Sequence, residues 1–172
     1  MNFREFLKNN ILISDGGMGS LLQKSGLPLG VLPERWNLEK PEVIREIHKA
    51  YFDAGSNMVS TNTFGANPLK FSDDELKDII FAAVKIAQDA KKESISDKEK
   101  FVALDIGPLG HMLKPYGDLD FEDAVNAFKK IVSLGQEAGA DAVIIETMND
   151  AYETKAAVVA AKEACKLPLI VS

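Results

Sequence analysis

Short apolar runs rich in β-branched residues alternate along the chain with longer segments whose apolar residues recur every three to four positions. The runs are "ILIS" (11–14), "NMVSTNTF" (57–64), "FVALDIG" (101–107), "AVIIET" (142–147) and "LPLIVS" (167–172), which makes five candidate strands. Strands spaced by segments of helical period are the signature of βα units on a parallel sheet.

The clearest helix is "PEVIREIHKAYFDAG", with Pro41 at its first turn, Val43, Ile44, Ile47, Tyr51 and Ala54 on one face, and Gly55 as its stop. Asp73 or Asp74 is placed to cap a second helix carrying Leu76, Ile79, Ile80, Ala83, Val84 and Ala87. It dissolves into the charged stretch "KKESISDKEK", read as an exposed loop. A third helix runs from about Phe121 to Ala138, capped by Asp120, with Ala124, Val125, Phe128, Ile131 and Val132 inward and Gly139 at its end. Asp150 opens a fourth, whose alanine-rich face suits close packing on a sheet, with Cys165 near its end as a small apolar filler.

Strand, helix, strand connections are right-handed and bring all strand C-termini to one rim. An open doubly wound sheet and part of an eight-stranded barrel both fit, and both place chemistry at that rim.

Composition narrows the function classes. The 172 residues are 46% hydrophobic and 27% charged with a net charge of -6, ordinary for one globular domain and poorly suited to nucleic acid or an anionic membrane. No run reaches the roughly 18 apolar residues of a membrane span, and "MNFREFLKNN" is too charged for a secretory signal, so the expected address is cytoplasmic. One cysteine excludes an internal disulfide, and with His48 and His111 as the only histidines a metal held by this chain alone is not expected.

The predicted rim carries Asp15 with Gly16, Gly17 and Gly19, then "TNTFGAN", "DIGPLG" and "ETMND". Polar residues terminating apolar strands are costly to bury without partners. Asp15 reads either as an Asx turn or helix cap, or as a carboxylate for a ligand cation beside amides that hold an anion. An α-amino acid carries both groups. Glu146, directly after "AVII", reads as a ligand or network acid. Asp105 before "GP" is explained by a turn. Thr61, Asn62, Thr63 and Asn67 are neutral hydrogen-bonding groups, and a regular strand would put Asn62 and Phe64 on one face and Thr61 and Thr63 on the other. Phe64 alone reads as core, His111 as a solvated loop residue, and Trp36 as a cover for one end of the domain. The glycines of "DGGMGS" fit neither a dinucleotide fingerprint nor a Walker loop. Residue by residue, the chain points to a small polar ligand at the rim of a parallel βα structure.

"DGGMGS", "LPERWNLEKPEVIREIHKAYFDAGSNMVSTNTFGAN", "DIGPLG" and "IIETMND", in this order, resemble the homocysteine-binding module of cobalamin-dependent methionine synthase. Looser forms occur in the betaine and S-methylmethionine homocysteine methyltransferases. The resemblance, from about residue 10 onward, implies a TIM-type (β/α)8 barrel that binds homocysteine at its C-terminal rim and activates the sulfur as a zinc-bound thiolate for methyl transfer from a methylcobalamin-type donor. By position, Asp15 and Glu146 match the acids that hold the amino group. Gly17, Met18 and Gly19 match the turn that binds the carboxylate, and Phe64 matches a pocket wall. Asn62, Thr63 and Asp105 are expected behind them.

In the family three cysteines bind zinc, and all lie in later strands than the five found here. Residues 1–172 are therefore expected to be the N-terminal part of such a barrel, without zinc or cobalamin of its own and inactive alone. The partners expected are homocysteine and the rest of the barrel or a cobalamin module. Two unpaired sheet edges, including apolar "LPLIVS", would invite association. An excerpt of a longer enzyme, a partner chain that completes the barrel, or an open sheet without activity would each account for them. A non-catalytic amino-acid-binding or assembly chain is the alternative function.

Overall fold

In the computed structural model, which describes residues 2–172, the predicted alternation of strand and helix is present. After α1 (Phe3–Asn9) and α2 (Gly19–Lys24) come a 3-10 turn (Pro33–Arg35), α3 (Trp36–Glu39) and α4 (Pro41–Asp53). Then follow β1 (Met58–Ser60), α5 (Asp73–Glu93), β2 (Phe101–Ile106), α6 (Phe121–Ala138), β3 (Ala142–Ile145), α7 (Ala151–Ala164) and β4 (Leu169–Val171).

All four strands are parallel and lie in the order β1-β2-β3-β4. Met58 pairs with Phe101, Ala103 with Ala142, and Val143 with Leu169. Strand order that advances with sequence and never reverses is the order of a barrel, not of a doubly wound sheet. The fold is thus α/β and matches part of a (β/α)8 barrel.

The expected first strand is reduced to a single parallel bridge, Ser14 to Met58. Ile13 carbonyl accepts from the Asn57 and Met58 amides, and the Asp15 amide donates to Met58 carbonyl. The segment therefore lies where a first strand would. Among the described residues it pairs on one side only, and Ile11 (87%) and Ile13 (49%) are exposed.

The two sheet faces have separate tasks. Leu104, Ile106, Val143 and Ile145 pack outward against α5, α6 and α7, and Val59 and Val102 join them beneath α4 and α5. The inner face carries Met58, Phe101, Ala103, Ala142 and Ile144. At the N-terminal end of the strands α1 plugs it: Phe3 and Phe6 meet the Phe101 ring edge-on at 5.1 and 5.4 Å. The charged N-terminal sequence thus forms a helix with a capping box between Asn2 and Glu5.

Most inward positions agree with the helical period. All six predicted for α5 and all five for α6 are buried. In α4 the buried stripe is Ile44, Ile47, His48 and Phe52, while Ala54 is exposed beyond the last turn. The caps differ. Ser72, not Asp73 or Asp74, accepts the Glu75 amide at the start of α5. Asp120 is the N-cap residue of α6 as expected, but its carboxylate makes no capping bond and pairs instead with Lys114 at 2.9 Å. Asp150 does cap α7, and Gly139 ends α6 in the left-handed conformation that favours glycine (φ 92°). The stretch read as an exposed loop keeps its first residues in α5, and Asp53 ties Ser94 and Ile95 down. Trp36 is buried with Leu22, Leu27, Ile44 and Ile47. No described helix is long and apolar enough to cross a membrane.

Candidate functional site

At the C-terminal ends of β1, β2 and β3 lies an open cleft of about 680 Å³, a size that takes a small molecule. Its lining includes Asp15, Gly17, Met18, Gly19, Asn62, Phe64, Asp105 and Glu146. Residues as far apart in sequence as Ser14 and Thr147 therefore meet at one place.

Asp15 is neither an Asx turn nor a helix cap, since Met18 precedes α2 and no side chain caps it. Its carboxylate reaches across to β1. Oδ2 accepts the Ser60 amide at 2.9 Å, and Oδ1 accepts the Ser60 and Ser14 hydroxyls at 3.4 and 3.2 Å. Burial nevertheless raises its pKa to about 6, these bonds offsetting only part of the lost hydration. In the glycine turn, the Tyr51 hydroxyl of α4 donates to Gly17 carbonyl at 3.2 Å. Among the described residues, the Gly17 and Met18 amides meet no acceptor.

Asp105 corrects the turn explanation, because it is the fifth residue of β2 and lies on the inner face, in line with Phe101 and Ala103. Its amide donates to Thr61 Oγ1 at 3.1 Å, and its carbonyl accepts from Thr63 Oγ1 at 2.7 Å. The side chain is 6% exposed, and Oδ1 has no hydrogen-bond partner. Burial raises its pKa to about 8, helped by the charges of Glu146, Asp15 and Glu34.

Phe64 is 41% exposed and walls the cleft, so the core reading is overturned. Its ring lies on Gly107, where a Cβ would come within 2.5 Å of it. The strict two-residue alternation also fails. β1 ends at Ser60, and past it Thr61, Asn62 and Phe64 all line the cleft. Thr63 does not; it braces β1 to β2 together with Thr61, their hydroxyls 2.7 Å apart. Asn62 donates to Pro33 carbonyl at 2.8 Å and to Asn37 Oδ1 at 3.2 Å, fastening the 33–37 segment over the rim. Exposed His111 lies outside the lining.

Several lining residues were not anticipated. Glu34, on the 3-10 turn, is 4% exposed; Oε1 accepts the Gly65 amide at 2.7 Å, while Oε2 is buried without a partner. The proline before it and the apolar residues around "LPERW" are the only sequence signal for that burial. Lys70 adds one cation, and Thr147 adopts φ 55° beside Glu146.

The layout defines a class: a parallel β/α barrel portion with an acid-lined ligand cleft at its C-terminal rim. The homocysteine S-methyltransferase family model matches residues 12–172, and the chain belongs to that family. Methionine synthase from Mycobacterium leprae is 32% identical over 171 residues, and that from Mycobacterium tuberculosis 31%. Each match covers 93% of this chain and 14% of the relative, so the chain spans about one seventh of their length. The homocysteine methyltransferase MmuM from Escherichia coli shares the fold. Its oxidized form superposes with a TM-score of 0.85 at 24% identity, covering 98% of this chain and 64% of that one. Its metallated form gives 0.83 at 22%, over 96% and 64%.

A zinc site does not fit the residues present. Among the described residues no group of three His, Cys, Asp or Glu side chains is placed to hold a metal. Cys165 follows the C-terminal end of α7, and α7 runs back from the rim, so the thiol lies at the opposite end of the strands.

Proposed function

We propose that these residues are the N-terminal part of a homocysteine-binding barrel and hold the amino-acid end of homocysteine for methyl transfer from a methylcobalamin-type donor, giving methionine. Convergence of Asp15 and Glu146 on one cleft beside the unengaged Gly17 and Met18 amides carries the reading. A zwitterion is matched at both ends. The carboxylates take the ammonium group, and the amides of the Gly17–Gly19 turn take the carboxylate. The side chain then runs past Phe64 to place sulfur toward the open mouth.

The attacking species in such chemistry is the thiolate, and a free thiol near pKa 8.5 is mostly protonated at neutral pH. In the family zinc supplies that activation. The side chains described here are assigned binding and orientation alone, and the zinc and cobalamin of the complete enzyme are assigned to residues beyond this set. A cytoplasmic location fits this role.

The assignment is tested by methyl transfer in the complete protein carrying this chain. Asp15→Ala and Glu146→Ala should each lower kcat/KM for homocysteine by at least about tenfold, the scale of one lost charge-assisted hydrogen bond. Turnover unchanged in both variants removes the site assignment.

A second reading, a non-catalytic amino-acid-binding or assembly chain, draws on the apolar residues at both sheet edges: Ile11, Ile13 and Val171, the last 46% exposed. Light scattering after size exclusion separates the two, because a soluble monomer at high concentration counts against a required partner.

A further inference from the structure

Four carboxylates line one cleft: Asp15 from the glycine turn, Glu34 from the 3-10 turn, Asp105 from β2 and Glu146 after β3. Two of them are more than nine-tenths buried, and each has one oxygen sealed from solvent with no hydrogen-bond partner, Glu34 Oε2 and Asp105 Oδ1. Lys70 is the only cationic side chain in the lining, and it forms no ion pair with any of them among the described residues. The Lys70 ammonium and Glu34 Oε1 lie 3.3 and 2.7 Å from one point beside Gly65, so the one cation offsets Glu34, and the remaining like charges favour a proton on the least compensated buried acid.

Asp105 is the group placed to do so. It sits at the inner face with the other three acids around it, while Asp15 is already bonded to Ser60 and Glu34 to Gly65. Glu146 is half-buried and better hydrated. We propose that Asp105 holds a proton in the ligand-free cleft and releases it to solvent when a substrate ammonium group enters, so that amino-acid binding is an exchange of proton for cation. Glu34, which lines the same cleft, adds to the negative charge around Asp105 that drives the exchange. This inference rests on the proposed amino-acid site and names the residue that makes it selective for a cationic amino group over a neutral amide or hydroxyl.

The direction of the pH effect follows. With the Asp105 pKa near 8, the protonated form dominates at pH 7, and ligand affinity rises as pH rises. Asp15, near 6, contributes lower down. The ligand amino group remains charged throughout.

Calorimetric titration with L-2-aminobutyrate, which has no thiol to ionise, in two buffers of different ionisation enthalpy counts the protons released. We expect close to one proton per ligand at pH 7, and a Kd that falls about tenfold between about pH 6.5 and 7.5. Asp105→Asn should bind more weakly at pH 8, release no proton, and show a flat profile across that interval. Binding without proton release overturns the inference and leaves the amino-acid site standing. No binding of either L-2-aminobutyrate or L-homocysteine overturns both. Carboxyl ¹³C NMR of the ligand-free wild type makes the result independent of how the variant folds. An Asp105 midpoint above about 7 supports the proposal, and one below about 6 overturns it.

Discussion

The inner face of the sheet is one surface with two ends. Strand β2 crosses it in three steps: Phe101 at the N-terminal end, Ala103 in the middle, Asp105 at the C-terminal end. Phe101 is enclosed by the Phe3 and Phe6 rings, whereas Asp105 is enclosed by carboxylates that its own charge opposes. A single strand thus stabilises the fold at one end and opposes it at the other. Stability lost at the rim is the physical mark of a site kept for something else.

Truncating the stable end should have the largest effect. Phe101→Ala removes the ring that both α1 phenylalanines pack on and should cost about 3–5 kcal/mol in urea unfolding. Amino-acid binding per folded molecule should stay within about twofold, since no lining residue of the cleft touches that cavity. Tenfold weaker binding in the folded fraction would mean the two ends are coupled.

At the opposed end the sign reverses. An acid whose folded pKa (about 8) exceeds its unfolded value (3.8) stabilises the folded state while protonated, and that contribution is lost as pH rises from about 4 to 8. Asp105→Asn should therefore raise stability at pH 8 by on the order of 1–3 kcal/mol and change it little at pH 4. His48 acts oppositely: fully buried, with neither ring nitrogen bonded and its pKa lowered to about 4, it loses stability as pH falls below about 6.5. Taking the difference between variant and wild type cancels the His48 contribution. A variant less stable than wild type at pH 8 would show that Asp105 is held by partners rather than opposed by neighbours.

The same two ends explain what could be read in the sequence. Helix faces and the alternation of strands with helices were legible because period and length are local properties, and burial follows them; the order of the strands was not, since a doubly wound sheet and a barrel fit the same alternation. Asp15 and Glu146 were legible as rim residues because each ends an apolar run. Glu34 was not: its burial is created by the Gly65 amide 31 residues away and by the fold of the rim. Asp105 was misread for a related reason. "DIGP" does contain a turn signal, but β2 continues through Ile106 because Thr61 and Thr63 bond the Asp105 backbone from the neighbouring segment. The segment 11–14 has strand composition and lacks a second neighbour, so composition alone overstated it. At α6 the cap residue was legible but its side-chain bond was not, because a nearby lysine, Lys114, takes the Asp120 carboxylate.

A smaller perturbation tests the cleft wall. Gly107→Ala places a Cβ 2.5 Å from the Phe64 ring, closer than any real contact, and the half-exposed ring can turn outward to relieve it. Stability should fall by about 1 kcal/mol, while homocysteine binding weakens about three- to tenfold through loss of the apolar wall. Phe64→Ala should give a similar loss of affinity without the clash. If Gly107→Ala binds normally while Phe64→Ala does not, the ring has another productive position.

The smallest effect is expected at Thr147, whose φ of 55° is a left-handed conformation unfavourable for a β-branched side chain. It follows Glu146 directly and turns the chain away from β3, so strain is stored next to a carboxylate assigned to the ligand. Asparagine tolerates this conformation without the unfolded-state entropy that glycine would add. Thr147→Asn should stabilise the protein by about 0.5–1 kcal/mol in thermal or urea unfolding and leave ligand affinity within about twofold, because the backbone that aims Glu146 is preserved. Thr147→Pro cannot adopt a positive φ and should move Glu146 and weaken binding. If asparagine stabilises and also weakens binding, the threonine side chain, already in the cleft lining, touches the ligand, and its cost in stability is matched by that contact.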